Sequence, residues 1–411
     1  MTDKLNPRDG KDVAAAVQWA LADGRSLELV GHGSKRAIGR PAQTDLTLDL
    51  SGLSGVTLYE PEELVLTAQA GTPIAEIEAL VASRNQQLAF EPMDYAPILG
   101  GPAGQGTIGG VLAANLSGPR RIKAGAARDH FLGLAAVSGR GEAFKSGGRV
   151  VKNVTGYDLC KLMAGSWGTL AVMTEVTIKT LPRPETEATV AVVGLDDAAA
   201  VAAMTAAMNA PCDVSGAAHL PEAVAGRIPI AVAASAGRAL TLLRLEGVAP
   251  SVVHRQAALA QLLGRFGRTA AIAAPASQPL WRAIRDVTPF AASRTDADDP
   301  VWRVSTPPAA GAQLARTIAA LADAEFLYDW AGGLVWVLIR NAGHDAGAGL
   351  VRRAVAACGG HATLVRAPAA LRATVAAFEP PDAALAALTK RVKESFDPRG
   401  VFNPGRLWAG V

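Results

Sequence analysis

Three cysteines are all that 411 residues contain, and this scarcity excludes several chemistries at once. Cys160, Cys212 and Cys358 are widely spaced and odd in number, so no disulfide framework, zinc site or iron–sulfur cluster can be assembled from them. The pattern predicts reduced thiols in a cytoplasmic protein. Excess charge is also missing. A formal net charge of +3 is small for this length and gives no support for nucleic-acid binding. Long apolar runs are absent as well. Met1 to Gly10 is polar and lacks a signal-peptide core, and no window offers the roughly twenty uninterrupted apolar residues of a transmembrane segment. The nearest candidate, Val190 to Ala207, carries Asp196 and Asp197 and reads as buried packing. The histidines (His32, His130, His219, His254, His344 and His361) include no pair at i, i+2 or i, i+4, so no metal site is expected. No nucleophile elbow, Walker loop or paired-carboxylate signature is present.

What the chain does have is apolar bulk and glycine. Half of it is hydrophobic, which excludes disorder, and its length predicts two or three domains. Asp12 to Ala22 reads as a helix with Val13, Val17 and Leu21 on one face. Ser26 to Val30 then reads as a strand that leads into the glycine-rich loop Gly31 to Gly39. A dinucleotide fingerprint of the Rossmann type would open a helix directly afterwards. Here Pro41 intervenes, and Leu46, Leu48 and Leu50 alternate with Asp45, Thr47 and Asp49, the period of a strand. A glycine loop between two strands reads either as a tight turn or as a phosphate cradle, and it argues against the common NAD architecture.

Further along, Val56 to Tyr59 and Leu64 to Ala70 predict a strand pair. Thr72-Pro73 reads as a helix start, with a hydroxyl cap and proline at the first position. A second glycine stretch, LGGPAGQGTIGGVLAANLSG, runs from Leu99 to Gly118. It suits either a close helix–sheet contact or the approach of backbone to a large flat cofactor. Phe131 to Ser138 and Glu142 to Lys145 predict a hairpin. Asn153 to Asp158, with Gly165 to Thr169, forms a third such place. Arg120, Arg121, Lys123 and Arg128 form a basic run that reads as a solvated face, with cofactor phosphate or an acidic partner as the functional alternatives. After Leu181 to Pro184, which reads as a linker, the texture changes to an alanine-rich α+β pattern.

Together these stretches resemble the FAD-binding domain of the vanillyl-alcohol oxidase type flavoproteins, also called PCMH-type. Gly31, His32, Gly33, Ser34 and Lys35, with Gly39, look like that family's pyrophosphate loop. Gly106, Thr107, Gly109 and Gly110 through Asn115 look like its flavin-contacting segment. Lys152 to Asp158, with Gly168, Thr169 and Leu170 and with Thr174-Glu175, looks like the stretch on the adenine side. Val172 and Asn403 complete the cofactor-binding set that the resemblance implies. His32 is expected to be a neighbour of the flavin and not its covalent anchor. The implied fold is α+β: a PCMH-type FAD-binding domain of two α+β subdomains at 1–184, a smaller α+β FAD-linked oxidase C-terminal domain at 185–387, and a tail at 388–411 returning towards the flavin.

Within the 2-hydroxyacid dehydrogenase branch, the chain is similar to the smaller flavin chains of the bacterial glycolate oxidase family. Phe396-Asp397-Pro398, Asn403 to Arg406, Pro119 to Asp129, Val301 to Ser305 and Tyr328 to Trp330 carry that likeness. It implies FAD as cofactor and oxidation of glycolate, with D-lactate as a further substrate, to the 2-oxo acid. It also implies a larger FAD-binding glycolate oxidase subunit and an iron–sulfur subunit as partners. The complex would pass electrons to a membrane acceptor at the inner face of the membrane. The larger flavin enzymes of the branch carry a His-x-Gly-Asp-x-Asn-x-His type motif that this chain lacks, so no catalytic residue is assigned. A self-sufficient 2-hydroxyacid dehydrogenase and a non-catalytic scaffold protein remain the alternatives.

Overall fold

The computed structural model describes residues 3–149, 156–228, 238–408 and 410–411. The chain opens with β1 (Asp3–Leu5), helix α1 (Gly10–Ala22), β2 (Leu27–Val30) and β3 (Leu46–Asp49). The Asp9 carboxylate caps α1 by accepting from the Lys11 and Asp12 N–H groups. Val13, Val17 and Ala20 then bury the inner face of α1 against Leu27, Leu46 and Leu48. The three strands form a parallel sheet in the order β1-β3-β2. The strand expected from the alternation at Leu46 to Leu50 is β3, at the centre of this sheet. All four β3 residues are buried, Thr47 and Asp49 included, because the strand is flanked on both edges and covered on both faces. Asp49 is compensated by the Lys4 ammonium.

Next come β4 (Val56–Glu60), β5 (Val65–Gln69), the two-residue β6 (Gln86–Gln87), the hairpin β7 (Phe131–Ser138) and β8 (Ala143–Gly147), and β9 (Ala171–Lys179). They build an antiparallel sheet in the order β4-β5-β9-β7-β8, while β6 pairs with β10 (Leu181–Pro182). The expected linker at Leu181 is thus tied to the first half of the chain. Helix α2 (Ile74–Ala82) starts at the proposed place but without the proposed cap. Pro73 is the N-cap, and the Thr72 hydroxyl donates instead to the Gln69 and Gly55 carbonyls, so it closes the preceding turn.

The remaining strands are β11 (Thr186–Val193), β12 (Gly216–Leu220), β13 (Leu240–Gly247), β14 (Thr269–Ala273), β15 (Val301–Ser305), β16 (Ala324–Asp329), β17 (Leu334–Ile339) and β18 (His361–Arg366). They form one antiparallel sheet, ordered β14-β11-β13-β12-β16-β17-β15-β18. Asp197–Met208 and Ala249–Leu263 are helices that cover one face through Val190, Val192, Leu243 and Leu245. Val190 to Ala207 is therefore part of a strand and a helix, and among the described residues no helix is long and apolar enough to cross a membrane. The other face turns towards the first half of the chain. There Trp336 meets Tyr95 edge-on at 6.1 Å, and Trp330 Nε1 donates to the Gly118 carbonyl at 3.0 Å.

The basic run divides on folding. Arg120 is not a solvated side chain: it is 12% exposed and makes a bidentate pair with Glu246 at 2.9 and 2.8 Å. Arg244, 1% exposed, makes a second bidentate pair with Glu91 at 2.8 and 2.9 Å. Arg121 and Arg128 stay at the surface. Finally, helix Ala383–Phe396 carries the chain back to the start: Leu27 N–H donates to Val401 O, and Asn403 N–H to Leu27 O.

Candidate functional site

The loop Gly31 to Asp45 joins two parallel neighbours, β2 and β3, without the usual crossover helix. Its first residues therefore fold over the end of the sheet instead of being hidden beneath a helix. Opposite stands helix α3 (Ile108–Ala113), capped by Thr107, whose hydroxyl accepts from the Gly110 N–H at 3.3 Å. Between them lies a cleft that opens to solvent. Two glycines make the approach possible. A Cβ on Gly31 would stand 2.7 Å from the Thr107 hydroxyl, and one on Gly109 would stand 2.7 Å from the Ala70 carbonyl.

Of the residues proposed from sequence, Gly31, His32, Gly33, Ser34, Lys35, Thr107, Gly109, Gly110, Gly168, Val172 and Asn403 line this one cleft. Gly39, Gly106, Asn115 and Thr169 do not line it. The Gly39 carbonyl accepts from Arg372, and the Gly106 carbonyl accepts from the Ile74 N–H. Asn115 Oδ1 accepts from the Arg128 N–H, and Thr169 donates to Ser166 O while its own carbonyl accepts from Lys393. In the third stretch, Tyr157 is 91% exposed and Asp158 caps the short helix Leu159–Met163. Lys152 to Thr155 lie outside the described residues.

Arg36 and Arg406 also line the cleft and were not assigned to it from sequence, as does Trp167, which lies within the third stretch. Arg406 had a signal, since it ends the tail motif that begins at Asn403. Its location had none, because the contact spans nearly the whole chain. Asn403 binds the cleft's parts together. Its Oδ1 accepts from the Leu29 N–H at 2.9 Å, and its Nδ2 donates to the Trp167 carbonyl at 2.9 Å. Its φ of +41° is a left-handed conformation that asparagine tolerates. Arg406 donates to the Lys35 carbonyl at 2.9 Å and so pins the glycine loop from the far end of the chain.

Electrostatically the cleft is short of negative charge. Burial pushes the Lys35 ammonium down to about 8 and the Arg406 guanidinium down to about 10. Glu28 serves both Arg36 and, at 4.0 Å, Arg406, while Asp94 acts on Lys35 only from further off. The Arg406 Nε–H is buried and has no acceptor among the described residues. Nor, among those residues, does any protein group accept from the backbone N–H of His32, Gly33, Ser34 or Lys35. Unpaired N–H groups beside under-neutralised cations form an anion cradle, and glycines at van der Waals limits admit a flat group beside it. These features fit the diphosphate of FAD: Lys35, Arg406 and the Gly31–Lys35 backbone would hold it, and the α3 glycines would admit the rest.

Comparison with known proteins agrees with this geometry. The family described as FAD binding domain matches residues 4–147, and the family described as FAD linked oxidases, C-terminal domain, matches residues 379–407. The chain is similar to glycolate oxidase subunit GlcE of Escherichia coli, at 33% identity over 96% of this chain and 95% of that one. It is also similar to glycolate oxidase subunit GlcD of Bacillus subtilis, at 34% identity over 36% of this chain and 30% of that one. Among solved structures, 4-ethylphenol oxidase from Gulosibacter chungangensis superposes with a TM-score of 0.73, covering 99% of this chain and 89% of that one. At 13% identity this likeness concerns the fold alone.

Proposed function

The chain belongs to the FAD-linked oxidase family, and from that premise we propose that it is the smaller flavin subunit of a glycolate-oxidising complex. Its partners are a larger FAD-binding subunit and an iron–sulfur subunit, and its substrates are small 2-hydroxy acids, glycolate first and D-lactate second. The observation that carries this reading is the end-to-end likeness to a glycolate oxidase subunit, joined to a cleft that gathers three distant glycine stretches and the tail. Bound FAD supplies the acceptor for the electron pair released when the hydroxyl-bearing carbon is oxidised.

The chain's own residues do the holding. Lys35 and Arg406 would neutralise the diphosphate, and the His32 to Lys35 N–H groups, which have no protein acceptor among the described residues, would be free to donate to it. Asn403 locks the strand, the Trp167 turn and the tail into one frame. Val172, Ala171 and Met173 supply the apolar floor.

The purified full chain should be yellow and should release about one FAD per chain on denaturation. A colourless chain that takes up no added FAD overturns the reading. Co-expression with the larger flavin and iron–sulfur subunits should yield one co-purifying complex whose flavin bleaches with glycolate. Rapid bleaching of the isolated chain would instead favour a self-sufficient dehydrogenase.

A further inference from the structure

Arg121 and Arg303 come from different halves of the chain, yet both guanidinium carbons lie over the ring of Trp330, at 4.3 and 5.1 Å from its centroid. That places two like charges within about 10 Å, no more than a screening length at moderate salt. Among the described residues neither forms a salt bridge, in contrast with Arg120 and Arg244 close by. The strand register adds a third group. Arg303 faces Thr363 across β15 and β18, and Ser305 faces His361, so Arg303 and His361 lie on the same face of the sheet. Burial together with Arg303 and Arg121 pushes the His361 imidazole down, and burial together with Arg303 pushes the Arg121 guanidinium down. The carboxyls in the neighbourhood are engaged elsewhere. Asp329 accepts from the Trp330 N–H at 2.7 Å, and burial pushes it up to about 7, so it offsets the arginines poorly. Asp129 accepts from the Ala126 N–H at 2.8 Å, and Glu379 pairs with Arg352.

The ring that both arginines approach is held at a conformational cost. Trp330 and Ala331 are consecutive non-glycine residues with φ of +51° and +59°, a left-handed arrangement that persists only where the surroundings enforce it. The Trp330 indole N–H is fixed to the carbonyl of Gly118, the last residue of the second glycine stretch. The cluster therefore sits where the sheet of the second half meets the end of the second glycine stretch. His361 and Arg121 remain open to solvent and Arg303 partly so.

We propose that Arg121 and Arg303, stacked on Trp330 with His361 beside them, bind the carboxylate of a small 2-hydroxy or 2-oxo acid. The choice of acid rests on the function proposed above, whereas the anion-binding character rests on this cluster alone. Two guanidinium groups offer the planar paired donors that a carboxylate matches, and a small acid held here presents its remaining atoms beside Gly118.

Titrating the purified full chain with glyoxylate by calorimetry tests this, with FAD content measured on the same samples. Saturable binding is expected, weakened about tenfold or more in Arg303→Gln and in Arg121→Gln and partly restored in Arg303→Lys. Arg265→Gln, which alters a surface arginine stacked on Phe266, should bind as the parent does. Because Arg121 is at the surface, its variant keeps the test valid if Arg303→Gln fails to fold. Equal affinity in parent and variants, or no binding by the parent, overturns the proposal. So do variants that bind glyoxylate normally but lose the partner subunits, since the cluster would then dock a protein. Failure to hold FAD, by contrast, overturns the functional reading and is read out separately.

Discussion

Two sets of buried charge, one where the halves of the chain meet and one at the cofactor cleft, respond to burial in opposite ways. In the first, Glu91, Arg120, Arg244 and Glu246 pair two by two with bidentate geometry. Arg244 is raised above its ordinary range, and Glu246 falls to about 2, because each charge finds its opposite. In the second, Lys35 and Arg406 are both pushed down, because burial outweighs the carboxylates within reach. Burial of charge thus has two meanings. A network whose charges cancel holds the two halves in register, while one left positive is prepared for an anion that the chain itself does not supply.

The largest expected effect falls on the closed network. Arg244→Met leaves Glu91 and Glu246 facing each other with one cation fewer, and urea denaturation should show a loss of about 3–5 kcal/mol. Lys35→Met is the counterpart at the cleft. Equilibrium dialysis should show FAD bound roughly ten- to a hundredfold more weakly, for loss of one charge-assisted contact. The FAD-free variant should nonetheless be at least as stable as the parent, since a poorly compensated cation has been removed. If Lys35→Met destabilised the FAD-free chain as Arg244→Met does, the distinction between the two sets would be broken.

Acidity sharpens the same contrast. Lys35 has a folded value of about 8 against 10.5 for the ordinary side chain. Between these the unfolded chain binds more protons, so the FAD-free protein should gain stability as pH rises from 8 to 10.5. Affinity for FAD should fall over the same interval, by at most about tenfold per pH unit. Glu246, at about 2 against 4.5, works the other way: its contribution is present above 4.5 and is lost as pH falls through 2. Thermal melts across both windows, with and without FAD, check these signs. The smallest effect belongs to Arg128→Gln, an exposed member of the basic run, which should shift stability by less than about 0.5 kcal/mol.

The legible parts of this molecule are those whose signal is local. Gly31 to Lys35 could be read as a cradle because glycine, hydroxyl and lysine follow one another within a single loop, and Pro41 denied that loop a helix. The hairpin around Gly139 to Gly141 was legible for the same reason. Thr72 misled because a hydroxyl before proline also serves a turn, here through the carbonyls of Gln69 and Gly55. The alternation at β3 correctly gave a strand, but period two reports pleating only, and the burial of Thr47 and Asp49 depends on what flanks the strand. Arg120 looked solvated because its partners, Glu91 and Glu246, lie 29 and 126 positions away.

The sequence by itself determined that the chain would place glycine and small polar residues at three points and a cation in the first of them. Backbone freedom and side-chain chemistry are properties of the residues themselves. Only the tertiary structure decided that these points share one cleft, that Asn403 and Arg406 close it from the other end of the chain, and which arginines are neutralised. Those facts depend on long-range packing and on which carboxylates burial brings within reach of each cation, and no local pattern encodes that distance.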